Sequence, residues 1–283
     1  MLLEKLKEYF EKRGDVVMAF VFGSQAKGRA HAGSDWDIAV YFKPEVEWVE
    51  WEEQNREYPE EDRVWGDCMD ILKTDNVDLI VLNRAPASIA DSAIRGIPLV
   101  IKDRGLWLDF MLIITRQAED FREFVRDYYE IYQRSKSLTS EDKERLRNVL
   151  IFMEEQLSMY LYYAEFRLVD YTENFHKRGE VERWIENIVN VSIDISKIIL
   201  SSEKKLIPSA YRETMLRAVL VLKLPENFIG KFEEWVKLRN ILAHEYLDIK
   251  WKKIDNFIKN SEPYFRSFTD AAKKFLEENG VKD

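Results

Sequence analysis

The sequence predicts a small α/β domain followed by an all-α helical bundle. Three observations carry this. Short apolar runs of strand length, interleaved with helical stretches, occupy the first hundred or so residues. After Gly105 the strand signals stop and apolar residues recur at helical spacing to the end of the chain. Only 10 glycines occur in 283 residues, too few for an all-β fold built on tight turns. The expected boundaries are an α/β domain over 1–105, a helical connector over 106–139 and a helical bundle over 140–283.

Along the chain, LLEKLKEYFEKR reads as a short amphipathic helix and VVMAFVF as a buried strand ending at Gly23. DIAVYF reads as the second strand, VDLIVLN (77–83) as the third and PLVIKD as an edge strand. The acidic segment between the second and third strands reads as helix in pieces, interrupted near Pro59 and Gly66. Residues 106–135 form a helix rich in aromatics, and Ser140 is placed to cap the next, which runs to about Val169. A further helix from about Val181 carries the stripe Val181, Trp184, Ile185, Ile188, Val191, Ile195 and Ile198. SSEKKLIPSA is a turn, Pro225 opens another helix, and the last covers 251 to 278.

Composition narrows the function. Nearly all of the net charge of −9 falls in residues 1–110, which argues against general affinity for nucleic acid. The single cysteine, Cys68, can form neither an internal disulfide nor a thiolate metal cluster, so a reducing cytoplasm is the expected compartment. No apolar run has the length of a membrane span, and no basic-plus-apolar leader pattern opens the sequence; no membrane partner is expected.

The chemistry concentrates in FGSQAKGRAHAGSDWDIAVYF (22–42). On a strand, residues i and i+2 share a face, so Asp35 and Asp37 point together, away from Trp36 and Ile38. Two carboxylates at that spacing repel, and a divalent cation with oxygen ligands, Mg²⁺ or Mn²⁺, relieves the repulsion. Asp78 has the same flanking pattern, and it joins them if its strand lies beside the second. Such a trio suits metal-assisted phosphoryl transfer, in which bound ions activate the attacking oxygen and offset charge on the leaving pyrophosphate. Gly23 lets backbone N–H groups approach a phosphate, Ser24 adds a hydroxyl, and a helix beginning near Gln25 would aim its positive end at the anion. Lys27, Arg29 and Arg84 are candidate contacts to triphosphate or base, each also readable as a surface charge. His31 reads as a solvated loop residue, as does His176.

Ser24, ten intervening residues and Asp35-x-Asp37, with Gly28 and Ser34 between, resemble the nucleotidyltransferase superfamily typified by DNA polymerase β, in its minimal form. VDLIVLNRAP is similar to that group's third-carboxylate strand. The resemblance covers about 15–103. It implies catalytic and metal-binding roles for Asp35, Asp37 and Asp78, nucleotide binding at Gly23 and Ser24, a Mg (or Mn) cofactor and a nucleoside triphosphate substrate, ATP for preference.

In the helical half, KLRNILAHEYLDIKW contains Arg239, Asn240, His244 and Tyr246. An arginine and a histidine brought together can cleave RNA without metal, the histidine moving protons and the arginine stabilising phosphorane-like charge. Equally, Arg239 and His244 can be a polar pair that locks helices together. The R-x4-H-x-Y form, over a helical region of about 140–280, resembles the HEPN family. In related two-gene toxin–antitoxin pairs, the minimal nucleotidyltransferase transfers AMP to the tyrosine of this motif on an RNase-like HEPN toxin. The resemblance therefore implies AMPylation of Tyr246, RNA at the HEPN motif, and a homodimer. Three readings stay open: transfer to the HEPN-motif tyrosine, transfer to a small molecule as in the aminoglycoside-modifying enzymes, and a HEPN RNase or nucleotide-binding module without transferase turnover.

Overall fold

The computed structural model describes residues 2–28, 34–45, 49–51, 56–134, 138–244 and 251–279. Two compact units divide at 119/120.

The first unit runs α1 (Leu2–Lys12), β1 (Val16–Phe22), the single turn α2 (Gly23–Ala26), β2 (Trp36–Phe42), α3 (Glu61–Leu72), β3 (Val77–Val81), α4 (Ala87–Ile94), β4 (Ile97–Ile101) and the start of α5 (Arg104–Arg134). The sheet order is β3-β2-β1-β4. β1 is antiparallel to both β2 and β4, and β2 is parallel to β3, the α3 crossover making that pairing possible. β4 sits at an edge, as its sequence suggests. Alternation sorts the side chains into two cores. Val21, Ile38, Val40, Val77 and Val81 pack with Leu6, Phe10, Val64, Cys68 and Leu72 of α1 and α3. Met18, Phe20, Ala39 and Tyr41 pack with Ala87, Ala90 and Ala93 of α4 and with Phe110, Ile114 and Ala118 of α5. Cys68 is buried, and that burial pushes its thiol up to about 12, so it is chemically quiet.

Gly66 does not interrupt α3. The helix runs through it because Val64, Cys68 and Leu72 bury on one face, which outweighs a glycine penalty of about 1 kcal/mol. A further anchor is Trp65, whose Nε1 donates to the Val77 carbonyl at 2.7 Å and ties α3 to β3. At the far end of the sheet, the buried Asn83 side chain accepts from the Phe42 N–H at 2.9 Å and donates to the Phe42 carbonyl at 3.0 Å.

The second unit takes the rest of α5, then α6 (Ser140–Ser158), α7 (Tyr160–Tyr163), α8 (Leu168–Glu173), α9 (Phe175–Ser202), α10 (Tyr211–Val221), α11 (Asn227–His244), α12 (Trp251–Asn260) and α13 (Glu262–Glu278). The stripe predicted on α9 is buried at every position, from Val181 to Ile198. Much of the expected connector is α5, which serves both cores: Phe110 and Ile114 in the first, Phe124, Tyr128 and Ile131 in the second.

Several boundaries differ from the sequence reading. Thr139, not Ser140, caps α6, its hydroxyl accepting from the Asp142 N–H at 3.1 Å. The helix expected to reach Val169 breaks after Ser158, because Tyr160 and Tyr163 turn inward onto Trp184. His176 lies in the first turn of α9 rather than in a loop. α10 forms where no element was assigned. The last helix is two: Pro263 lacks the N–H needed to continue α12 into α13, and buried Ser261 hydrogen-bonds to Tyr160 at 2.5 Å across the break.

A partly buried charge network joins α5, α6 and α9. Asp127 accepts from Arg145 at 2.8 and 2.6 Å and pairs with the almost fully buried Lys197 at 2.6 Å; Lys197 also meets Asp194 at 2.9 Å. Burial alone would raise the Asp127 carboxyl, but the Arg145 and Lys197 hydrogen bonds outweigh it and hold the group at about 2. A carboxyl depressed on folding stabilises above its unfolded pKa and loses that contribution as pH falls toward the folded value. Asp127→Asn should therefore destabilise at pH 7 by roughly 1–3 kcal/mol, given partial exposure. The gap to wild type should shrink as pH drops from about 4 toward 2, read by urea unfolding across that range.

Candidate active site

The carboxylates meet where β2 and β3 begin. Parallel register sets Asp37 opposite Asp78, and antiparallel register sets Asp37 opposite Phe22, the last residue of β1. Asp35 precedes β2 directly, and the Trp36 N–H donates to the Asn76 carbonyl at 2.9 Å, fastening this entry to β3. Asp35 and Asp78 are exposed while Asp37 is half-buried. The Asp37 carboxyl is raised from the ordinary range, by desolvation first and then by the negative charges of Asp78 and Asp35. β3 thus lies beside β2, the condition for the trio to share one end of the sheet.

Gly23 completes the corner. Its φ is +66°, and a Cβ there would stand 1.9 Å from Asp37 Oδ2 and 2.7 Å from its Cγ. Two independent constraints, a left-handed backbone and contact with the carboxylate, exclude any side chain. Ser24 follows, half-buried, in the one-turn helix α2. That turn begins at Gly23 rather than near Gln25 and spans four residues, so it carries little macrodipole.

The expected basic contacts separate. Lys27 is exposed beside the corner. Arg29 and His31 lie outside the described residues. Arg84 is excluded by topology: it follows the C-terminal end of β3, whereas Asp78 lies near the N-terminal end, and it is ion-paired with Glu61 over the Tyr58 ring.

Among the described residues, no three carboxylate, imidazole or thiol groups form a ready-made metal cage. The donor chemistry nonetheless fits a hard divalent cation, since the three side chains offer only oxygen donors and the like charges of Asp78 and Asp35 add to the burial that raises the Asp37 carboxyl. Asp35, Asp37 and Asp78 are the residues that would hold it.

In the helical unit, Arg239 Nε donates to Asn190 Oδ1 at 2.7 Å and Nη1 to Asn240 Oδ1 at 3.0 Å, with the guanidinium 5.3 Å over the Tyr211 ring. These contacts lock α11 to α9 and α10. Arg239 lines a cavity of about 630 Å³ shared with Asp127, Arg145, Asp194 and Lys197. The exposed Asp120, Glu123 and Glu130 also line it, with the exposed Arg126 among them, so acids outnumber bases at its mouth. His244 is the last residue of α11, and Tyr246 lies outside the described residues. Sequence reasoning missed Asn190 and Tyr211; the one signal was a polar Asn190 between the apolar Val189 and Val191.

The family model described as Ribonuclease HepT-like matches residues 114–272. The chain belongs to the HepT-like ribonuclease family. Its N-terminal part is a polymerase-β-type nucleotidyltransferase domain, the model described as Polymerase beta, Nucleotidyltransferase matching residues 4–105. A search of curated proteins found no match. Among the described residues no helix is long and apolar enough to cross a membrane. The two domains together support a nucleotidyltransferase of toxin–antitoxin type in general terms.

Because Asp37 is raised by burial and by like charge, its ionised form destabilises the folded state above that raised pKa. Asp35→Asn with Asp37→Asn should thus melt at or above the wild-type temperature at pH 7. It should also lose Mg²⁺-dependent nucleotide binding by calorimetry. Gly23→Ala should likewise lose binding, by displacing the Asp37 carboxylate.

Proposed function

We propose that this protein is a Mg²⁺- or Mn²⁺-dependent nucleotidyltransferase that transfers AMP from ATP to a hydroxyl, with Tyr246 of the HEPN motif as the acceptor. The observation that carries the reading is the Asp37–Asp78 register pair with Gly23 packed on Asp37. A metal-assisted transferase needs a rigid carboxylate pair beside a backbone that a triphosphate can approach, and this corner supplies both.

The chemistry expected of these residues is simple. A bound divalent ion would supply charge neutralisation at the triphosphate. Gly23 keeps the Asp37 carboxylate in place, and Ser24 offers a hydroxyl to a phosphate oxygen. The phenol oxygen of Tyr246 forms a bond to the α-phosphorus as the bond to pyrophosphate breaks. Asp78, exposed at the start of β3, is the base assigned to the phenol proton, which is otherwise held at a pKa near 10. An adenylyl group at Tyr246 would place bulk and negative charge two residues from His244, opposing RNA at the HEPN motif by sterics and repulsion.

The adduct is directly testable. Incubation with ATP and Mg²⁺ should add one or more AMP units, located at Tyr246 by peptide mass spectrometry and lost in both Tyr246→Phe and Asp78→Asn. An adduct that persists in Tyr246→Phe moves the acceptor elsewhere on the chain. No adduct in wild type that binds ATP and Mg²⁺ redirects the reading to a separate acceptor, a second protein or a small molecule.

A homodimer through the helical unit belongs to the same proposal. In the run MYLYYAEF, Tyr160 and Tyr163 are core residues, but Leu161 and Tyr162 are exposed, as are Leu168, Val169 and Phe175 nearby in sequence. Pairing with a second copy is the commonest way to cover such a surface. Light scattering at micromolar concentration should give twice the mass of one chain, and a monomer would refute it.

A further inference from the structure

The carboxylate corner has a second wall. α4 packs on the face of the sheet that carries Asp37, its Ala87, Ala90 and Ala93 lying among Phe20, Phe22, Ala39 and Tyr41. At the C-terminal end of α4 the chain comes against β1 so closely that a Cβ on Gly96 would stand 2.2 Å from the Val21 carbonyl and 2.9 Å from Phe22 Cβ. Register agrees, since Ile97 is paired with Val21. Phe22 is in turn the partner of Asp37 and the residue before Gly23. Arg95 directly precedes Gly96, so its backbone lies one residue from the segment that abuts Phe22, and the charges nearest its guanidinium are those of Asp91 and Glu119.

Arg95 is both available and oriented. Its side chain is 61% exposed, yet Nε donates to both oxygens of Asp91 at 3.0 Å and Nη2 meets Asp91 Oδ1 at 3.0 Å. Asp91, one turn earlier on α4, is itself buried. Asp91 thus engages the Nε–Nη2 edge, while a guanidinium carries five donors in a fixed fork. The remaining donors can face a ligand without the side chain first losing its rotamer freedom.

We propose that Arg95 is a substrate-binding residue for the polyphosphate of the nucleotide, pre-oriented by Asp91; this rests on the nucleotidyltransferase reading above. A cluster of three aspartates repels a triphosphate, so a fixed cation beside it adds attraction that the carboxylates cannot. Arg84, which the sequence offers for this role, stands beyond the opposite end of β3. Planar fork geometry also suits phosphate oxygens better than a single ammonium does.

The test is calorimetric, on the full chain with Mg²⁺, comparing a non-hydrolysable ATP analogue with AMP. Arg95→Ala should weaken analogue binding by about tenfold or more, the effect of losing one charge-assisted contact. AMP affinity should stay at the wild-type value. Arg95→Lys should recover part of the loss, and Arg84→Ala should show none. In turnover, Arg95→Ala should raise KM for ATP more than it lowers kcat. Wild-type analogue affinity in Arg95→Ala would overturn the assignment while leaving the nucleotidyltransferase reading intact. Equal loss for the analogue and AMP would make Arg95 a structural residue. Wild-type protein that binds no analogue with Mg²⁺ would overturn the nucleotidyltransferase reading and Arg95's role with it.

Discussion

Repulsion between Asp37 and Asp78 is the constraint on which the first unit is organised. Parallel pairing of β2 and β3 holds the two carboxylates at the same register position, with Asp35 one residue outside the strand. Left alone, such an arrangement opposes folding, and the Asp37 carboxyl is raised by its burial first and by the charges of Asp78 and Asp35 in addition. The surrounding structure offsets it with apolar packing on both faces of the sheet and with specific ties at each end. Trp65 and Asn76 secure the carboxylate end of β3, and Asn83 clamps the other end to Phe42. Electrostatic strain kept at one end of a well-packed sheet is typical of a site that binds cations or does chemistry.

The same corner explains its two glycines. Gly23 is required by a positive φ and by contact with Asp37, and Gly96 by the approach of α4 to the end of β1. Gly23 lets α2 close on the Asp37 carboxylate, and Gly96 lets the chain after α4 close on the end of β1. A methyl group at either position would have to displace an acid or a strand carbonyl. The geometry is thus over-determined by packing, which gives a phosphoryl-transfer site the positional accuracy it needs.

The helical unit treats charge differently. There, charges meet partners that satisfy them: Asp127 the opposite charges of Arg145 and Lys197, Arg239 the neutral amide oxygens of Asn190 and Asn240. These contacts join α5, α6, α9 and α11 around a polar cavity within an otherwise aromatic and aliphatic core. Arg239 accordingly has a structural duty whatever its chemistry. Its guanidinium is fixed by α9 and stacked over Tyr211 of α10, and the carboxylates around the cavity mouth repel a polyanion. Access for RNA at this motif would have to contend with that field.

The sequence alone determined the strands, the two-part architecture and the carboxylate motif, because each depends on local periodicity. A strand of alternating Asp and apolar residues can point only one way, and an apolar stripe such as Val181–Ile198 can only face a core. Helix ends were less legible. Thr139 and Ser140 are both competent caps, and only the packing of α6 chooses between them. Gly66 signals a break that burial of Val64 and Cys68 overrides, and the inward turn of Tyr160 and Tyr163 depends on Trp184 from another helix. Tertiary structure alone decided which residues meet. It placed β3 beside β2, so that Asp78 joins Asp37; it sent Arg84 to the opposite end of that strand and set Gly96 against the end of β1; and it gave Arg239 its partners Asn190 and Tyr211. The physical reason is common to all: strand order and helix packing are settled by burial summed over the whole unit, which no local pattern of residues contains.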